Sequence, residues 1–214
     1  EQWDDAEAKA QAATSRTSKR DELMLRVVRE DYLRREELAH LVIEQFEKIT
    51  HEEFVYVKLL KSKLDRQKGT RTVKFPKELY NELVRYVKRA RKLLKKPGVN
   101  SNALFLSQKT GKKLENRSIN FIFEKYGVRP HDGRSVGLTE RFIELISEGH
   151  SQQTCLEIVS TEAGHSAKSK GETLMQHYLN AEVSVTRSKS NNTNDNDALK
   201  AAQAKIDELQ QEIE

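Results

Sequence analysis

The order of apolar and polar residues along the chain predicts mostly helices and one β-hairpin. From Asp21 onward, apolar residues recur at intervals of three and four, as on one face of a helix. Residues 53–60 are instead rich in β-formers and predict a strand. A polar turn near 67–70 leads to a returning strand over 71–75. The fold class is therefore mostly α with a small antiparallel β-sheet (α+β).

Proline and glycine mark the ends of the later elements. Pro76 ends the second strand and opens a helix over 77–95, which Pro97-Gly98 stops. Gly127 is predicted to end a helix over 116–126. Ser151 is a candidate N-cap between helices over 133–148 and 151–162, and a last helix is predicted over 171–184. The inner face of the 116–126 helix is predicted to comprise Ile119, Phe121, Ile122, Phe123 and Tyr126.

The same patterns divide the chain into four segments. Residues 1–20 are polar and Ala-rich, which favours a linker or a frayed helix, and 21–185 form the main domain. A polar spacer covers 186–197 and precedes a short amphipathic helix over 198–214. The apolar stripe of that helix is typical of a coiled coil, which would pair with a second copy or pack against the domain: Leu199, Ala202, Ile206, Leu209 and Ile213.

Composition narrows the class of protein. The chain has 214 residues, 36% of them hydrophobic and 33% charged, which is typical of a soluble, helix-rich protein. No apolar run approaches the roughly 20 residues of a membrane helix. The single cysteine, Cys155, is expected to be a small buried hydrophobe in a reducing, intracellular compartment, and zinc sites built on cysteine pairs are excluded. Because the chain begins with Glu1, we expect it to be a fragment.

Positive charge is concentrated in residues 58–96. Only Asp65, Glu78 and Glu82 oppose a long series of lysines and arginines in this stretch, although the net charge of the whole chain is only +5. Such density indicates a polyanionic partner, most simply nucleic acid, while a solvated helix face is the alternative. The residues predicted to contact DNA are Lys63, Arg66, Arg71, Lys88, Arg89, Arg91 and Lys92.

One short motif combines an imidazole with a guanidinium. His131 and Arg134 are three residues apart, so they lie on one face of a helix start. An arginine offers a planar pair of donors to phosphate oxygens, and a nearby histidine can exchange a proton near neutral pH. Because this motif is common by chance, its function is inferred from the other motifs along the chain.

Those motifs resemble the tyrosine recombinase (phage integrase) family over about 21–185. Arg34 lies in an Arg-x-x-Glu-Leu pattern, and the basic hairpin turn contains Lys68. The pair Gly164-His165 follows the His-x-x-Arg box, and Tyr178 lies in a late helix. The resemblance implies the fold of that family's catalytic domain and six catalytic residues: Arg34, Lys68, His131, Arg134, His165 and Tyr178. Arg35 is the alternative to Arg34, and Lys63 the alternative to Lys68.

The resemblance also implies a reaction. Tyr178 would attack a DNA phosphodiester and form a 3′-phosphotyrosyl link, while Arg34, Arg134 and His165 stabilise the charge on the phosphate. Lys68 would protonate the departing 5′ oxygen, and His131 would act as the base or proton shuttle. No cofactor, metal or ATP is expected.

Two departures from the family pattern keep other functions open. Gly133 stands where the family usually has leucine, and the spacings from Arg134 to His165 and on to Tyr178 are longer than in compact members. The alternatives are an inactive integrase-like DNA-binding module, a type IB topoisomerase-like enzyme and, least favoured, a helical coiled-coil adaptor.

The family resemblance sets the expectations for partners and location. We expect a double-stranded DNA partner, a dimer or tetramer on that DNA, and no membrane association. A cytoplasmic, nucleoid-associated protein of bacterial, phage or mobile-element origin is expected. The family's separate upstream core-binding domain does not occur in the 214 residues. The target site, and the choice among integration, excision, transposition and resolution, stay open.

Overall fold

The computed structural model describes residues 1–60 and 71–164. The chain forms two compact units. The larger unit comprises Gln2–Arg134, and the second comprises Glu1 and the residues from Ser135 onward, described as far as Gly164. Along the described residues the elements are α1 (Gln2–Ala12), α2 (Ser18–Glu30), α3 (Arg35–Ala39), β1 (Phe54–Leu59), β2 (Arg71–Pro76), α4 (Lys77–Lys88), α5 (Asn116–Lys125), α6 (Pro130–Ser147) and α7 (Gln152–Glu162). Two short 3-10 segments, Ile43–Gln45 and Ala90–Leu94, complete them.

The predicted hairpin is confirmed. Strands β1 and β2 pair antiparallel, with Phe54 opposite Pro76 and Leu59 opposite Arg71. Val57 and Phe75 are buried, while the alternate residues Lys58 and Lys74 are exposed, as the two-residue period of a half-buried strand requires. The mostly helical class with a two-stranded antiparallel sheet is likewise confirmed.

The core of the larger unit forms where the hairpin and helices α2, α4 and α5 bury their apolar faces together. Leu23 and Val27 of α2, Leu79 and Leu83 of α4, and Phe123 of α5 are all inaccessible to solvent. These positions recur at helical spacing, so burial of one face supports each helix. Around the hairpin, Phe46 packs its ring edge against Phe75 at 5.6 Å and lies 5.4 Å from Tyr80.

Several predicted boundaries are confirmed by local geometry. Gly127 follows α5 with a φ of +80°, a left-handed conformation that glycine adopts without a steric penalty. The Ser151 hydroxyl caps α7 by accepting a hydrogen bond from the Thr154 amide at 3.2 Å. The helix predicted over 77–95 is shorter, however, because Arg89 leaves the helical conformation and a 3-10 turn follows.

Two predictions of burial are corrected. Phe121 is 58% exposed, whereas Ile119, Phe123 and Tyr126 are buried, because only residues three or four apart share the inner face of α5. Residues 2–12 are a packed helix rather than a linker or a frayed helix. Trp3, Ala6 and Ala10 of α1 are buried, a contribution to the core that the polar composition of 1–20 conceals.

In the second unit, α6 from Ser135 onward and α7 supply the described part of the fold. Phe142 and Leu145 of α6 and Val159 of α7 are buried, and Arg141 on α6 lies 3.4 Å from the Glu162 carboxylate on α7. Cys155 is buried, as predicted. None of the helices among the described residues has the length and apolarity to span a bilayer. The predicted helix over 171–184 and the segments 186–197 and 198–214 lie outside the described residues.

Candidate active site

Arg34 is held at the start of α3 by the carboxylate of Glu37. The Arg34 backbone amide donates to Glu37 Oε2 at 2.8 Å, and its guanidinium Nη1 lies 3.1 Å from Glu37 Oε1. An acidic residue in the first turn satisfies amides that have no partner within the helix and complements the positive end of the helix dipole. The Arg-x-x-Glu pattern therefore fixes both the backbone and the side chain of Arg34.

A second arginine shares the same carboxylate. Arg71, the first residue of β2, directs Nη1 to Glu37 Oε1 and Oε2 at 3.3 and 3.2 Å. Glu37 is almost fully buried, so two guanidiniums surround an acid shielded from solvent. Charge-assisted hydrogen bonds of this kind are stronger than neutral ones, and they tie α3 to the hairpin. Sequence reasoning placed Arg71 among the DNA contacts and missed this pairing.

Arg134 reaches the same stretch of chain from α6. It is 2% exposed, and its Nη1 donates to the backbone carbonyl of Tyr32, two residues before Arg34. Tyr32 has a φ of +56°, a left-handed conformation that is uncommon for residues other than glycine. This turn after α2 presents its carbonyl to Arg134. Both predicted arginines are thus anchored within residues 32–37.

His131 lies one turn before Arg134, at the start of α6. Its side chain is exposed, whereas Gly133 and Arg134 are buried. Beside it, Arg129 and Asp132 form an exposed ion pair at 2.9 Å that braces the first turn of the helix. The helix start therefore places an imidazole at the surface and a guanidinium in the interior.

A buried acid that sequence reasoning missed ends α2 next to this site. Asp31 is 1% exposed, and among the described residues neither carboxylate oxygen has a hydrogen-bond partner. Burial raises the pKa of Asp31 well above its ordinary value, and the nearby Glu30 adds to this. The positive charges of Arg26 and Arg71 oppose the shift. In the sequence, only its position three residues before Arg34 connects Asp31 with the candidate site. That position does not show that the side chain is buried.

The remaining catalytic candidates lie outside the described residues. These are Lys68 and its alternative Lys63, together with His165 and Tyr178; the predicted DNA contact Arg66 lies there as well. Of the six predicted positions, the structure therefore describes Arg34, His131 and Arg134.

The basic residues at the end of α4 and just beyond it divide into exposed and buried members. Lys88, Arg89 and Lys92 are exposed, and none belongs to an ion pair among residues 1–60 and 71–164. Arg91 is 1% exposed, and its guanidinium donates to the carbonyls of Ser101, Ala103 and Leu104 at 2.7 to 3.1 Å. Arg91 is thus a structural residue rather than a DNA contact, because its donors are committed to backbone in the interior.

The described side chains do not form a cluster that could bind a metal ion. Within the part of the chain that the structure covers, no three His, Cys, Asp or Glu side chains cluster closely enough to hold a metal ion.

Comparison with solved structures identifies the fold. XerA recombinase aligns with a TM-score of 0.58 at 18% identity over 87% of this chain and 60% of its own. XerH site-specific recombinase bound to difH substrate aligns in its pre-cleavage complex with a TM-score of 0.57, at 17% identity over 83% of this chain. Its post-cleavage complex on palindromic difH gives 0.56, at 16% identity over 80%. The chain shares the fold of these recombinases.

The chain resembles these recombinases in structure rather than in sequence. The chain covers 49% of the XerH protein in the pre-cleavage complex and 46% in the post-cleavage complex. No family model matches the sequence, and no curated protein matches it. At these identities the alignments establish the recombinase-like fold, with its helices and small hairpin, and this was the fold that the sequence motifs predicted.

Proposed function

We propose that this chain is the catalytic domain of a tyrosine-type site-specific DNA recombinase. The observation that carries the proposal is the anchoring of two arginines on one short segment. Arg134 is bound to the carbonyl of Tyr32, and Arg34 is bound to Glu37, within a fold shared with XerA and XerH. Two fixed guanidiniums suit a reaction in which negative charge develops on a phosphate.

The positions of the arginines explain how the site would lower the barrier. The Glu37 carboxylate holds Arg34, and a backbone carbonyl holds Arg134, before any substrate arrives. Groups held in place in advance need little reorganisation as the phosphorane-like transition state forms. Arg34 and Arg134, with His165, would contact the non-bridging oxygens.

The proton transfers are assigned to the other three residues. A tyrosine phenol has a pKa of about 10, so it must lose its proton as it attacks at neutral pH. The Tyr178 oxygen would bond to phosphorus while the bond to the 5′ oxygen breaks, giving a 3′-phosphotyrosyl link. His131 would take the phenolic proton directly or through water, and Lys68 would protonate the leaving 5′ oxygen. Attack by a 5′-hydroxyl reverses the step, so neither ATP nor a cofactor is needed.

DNA is the proposed partner, bound as a duplex by a dimer or tetramer of the protein. The exposed side chains of Lys88, Arg89 and Lys92 support a phosphate-binding surface at the end of α4. Lys63 and Arg66 complete the proposed set. We further propose a cytoplasmic, nucleoid-associated protein of bacterial, phage or mobile-element origin.

Covalent trapping on DNA tests this function. The probe is a pool of duplexes with randomised sequence and a nick that lets the cleaved strand diffuse away. The wild-type protein is expected to form adducts that survive denaturing electrophoresis, and Tyr178→Phe is expected to form none. Tyr126→Phe is the matched control, because Tyr126 is buried beside Asp21 in the core.

The other outcomes distinguish the alternatives. DNA binding without any adduct across the pool would contradict the proposal and favour an inactive module. Adducts at every sequence, with relaxation of supercoiled plasmid, would favour a type IB topoisomerase-like enzyme. An adduct that persists in Tyr178→Phe would refute the nucleophile.

A further inference from the structure

Helix α1 is held within the larger unit by polar contacts of its first half and by a buried apolar face. On α2, Arg29 binds Asp4 at 2.8 Å and lies 3.5 Å from Glu7. The Gln2 side chain donates to the carbonyl of Gly127 at 2.7 Å. Trp3, Ala6 and Ala10 form the buried face, and the two alanines allow α1 to approach its neighbours closely.

The indole of Trp3 fills the space above Gly133. A Cβ added to Gly133 would lie 2.7 Å from Trp3 Cζ3 and closer still to Cζ2 and Cη2. Trp3 is 2% exposed, its Nε1 donates to Glu7 at 2.9 Å, and its ring lies 6.0 Å from that of Phe123. The indole is therefore held from several sides in the volume that a side chain at residue 133 would occupy.

Backbone conformation does not explain the glycine. Gly133 does not have a positive φ. It lies within α6, and glycine inside a helix lowers stability by roughly 0.5–1 kcal/mol relative to alanine. The close approach of Trp3 does explain it, because any side chain there would collide with the ring. The helix start that carries His131 and Arg134 is thus packed against a residue from the beginning of the chain.

We propose that Trp3 is a positioning residue for Arg134, and that its indole fills the volume that a larger residue at position 133 would occupy. The ring presses on the residue directly before Arg134, whose guanidinium reaches the Tyr32 carbonyl. The inference rests on the proposed function, since the effect would be on strand cleavage. Loss of the ring would let the first turn of α6 shift and move Arg134 relative to Arg34.

The test measures the single-turnover rate of adduct formation at saturating DNA for four proteins: wild type, Trp3→Ala, Gly133→Leu and the double variant. Each single variant is expected to lower the rate roughly 10- to 100-fold, as a displacement of about 1 Å can do. The double variant is expected to recover most of the lost rate, because leucine fills the volume that the indole vacates. Such mutual rescue is not expected of two independent defects.

A destabilised control separates positioning from general loss of stability. Leu94→Ala creates a cavity in a small buried cluster with Ala103 and Leu106, apart from the core that contains Trp3. At a temperature where all proteins are folded, Leu94→Ala is expected to cleave at the wild-type rate. A Trp3→Ala rate equal to that of Leu94→Ala, or a double variant no faster than both singles, would overturn the inference.

A milder substitution covers the case in which Trp3→Ala does not fold. Gly133→Ala adds only a methyl group and is expected to lower both Tm and the cleavage rate, although alanine normally stabilises a helix. A rise in Tm with an unchanged rate would contradict the packing argument. In every arm the wild-type adduct is measured first, so failure of the proposed function is distinguished from failure of this inference alone.

Discussion

Two groups of basic residues in the larger unit differ in solvent exposure and in bonding partners. Arg34, Arg71 and Arg134 are bound to Glu37 or to the Tyr32 carbonyl and have little exposure. At the end of α4 and just beyond it, Lys88, Arg89 and Lys92 extend into solvent. Cations fixed in a buried setting suit stabilisation of charge at one phosphate, whereas mobile exposed cations suit attraction of a polyanion. Positive charge alone therefore does not separate the proposed phosphate-stabilising arginines from the proposed DNA contacts; the exposed fraction of each side chain does.

The largest expected effect separates two adjacent arginines. Arg34→Ala is expected to lower the rate of covalent adduct formation by roughly 10²- to 10³-fold, the usual cost of removing one transition-state donor. Arg35→Ala should change it only a few-fold, since Arg35 is exposed and binds Asn120 on α5 at 3.0 Å. The measurement is the single-turnover rate on the trapped DNA. The reverse ranking would assign catalysis to Arg35.

The second prediction contrasts a buried arginine with its exposed neighbour. Arg91→Ala is expected to lower the free energy of unfolding by about 3 kcal/mol, because backbone carbonyls in the interior lose their donor. Lys92→Ala is expected to leave stability unchanged and to lower the slope of log K against log salt by about 1. Urea unfolding and DNA titration at several salt concentrations measure the two effects. A stable Arg91→Ala protein with a reduced salt slope would restore Arg91 as a DNA contact.

The third prediction removes the shared acid. Glu37→Gln is expected to lower the free energy of unfolding by about 2 kcal/mol, since Arg34 and Arg71 lose a buried anion. The adduct rate should fall roughly 10-fold as Arg34 becomes less well fixed. Glu36→Gln is the matched control on the same short helix. Equal effects of the two substitutions would show that the buried carboxylate has no special role.

The smallest expected effect depends on pH. Burial raises the folded-state pKa of Asp31, so its contribution to stability is most favourable below the ordinary Asp pKa of about 3.9 and declines as pH rises through the raised value. Asp31→Asn carries no such penalty. Asp31→Asn should be modestly more stable than wild type at pH 7, and the difference should be much smaller at pH 4. Thermal unfolding at both pH values measures this, with exposed Glu53→Gln as control; a gain independent of pH would contradict the assignment.

Features set by local sequence could be predicted, and those set by distant packing could not. The hairpin, the stop at Gly127 and the cap at Ser151 depend on residues close in sequence, and the structure confirms them. The burial of Arg91 depends on carbonyls 10 to 13 residues later, which no charge pattern indicates. The packed helix α1 was missed because its polar composition gives no sign that Trp3 lies against Gly133.

The same contrast between local sequence and distant packing applies to the candidate site. The Arg-x-x-Glu and His-x-x-Arg patterns made Arg34, His131 and Arg134 candidates because the spacing within each pattern is local, and their catalytic roles stay predictions. The pairing of Arg71 with Glu37 joins a strand to a helix 34 residues away in sequence, so it required the structure. The recombinase-like fold was predictable because several such patterns occur in the right order, even where sequence identity to XerA is 18%.

The most direct measurement identifies the residue that becomes linked to DNA. The adduct trapped on the nicked pool is digested with nuclease and protease, and the peptide that retains a nucleotide is sequenced by mass spectrometry. A nucleotide joined through its 3′ phosphate to Tyr178 is the predicted result. Attachment to any other residue, or through a 5′ phosphate, would contradict the proposed chemistry.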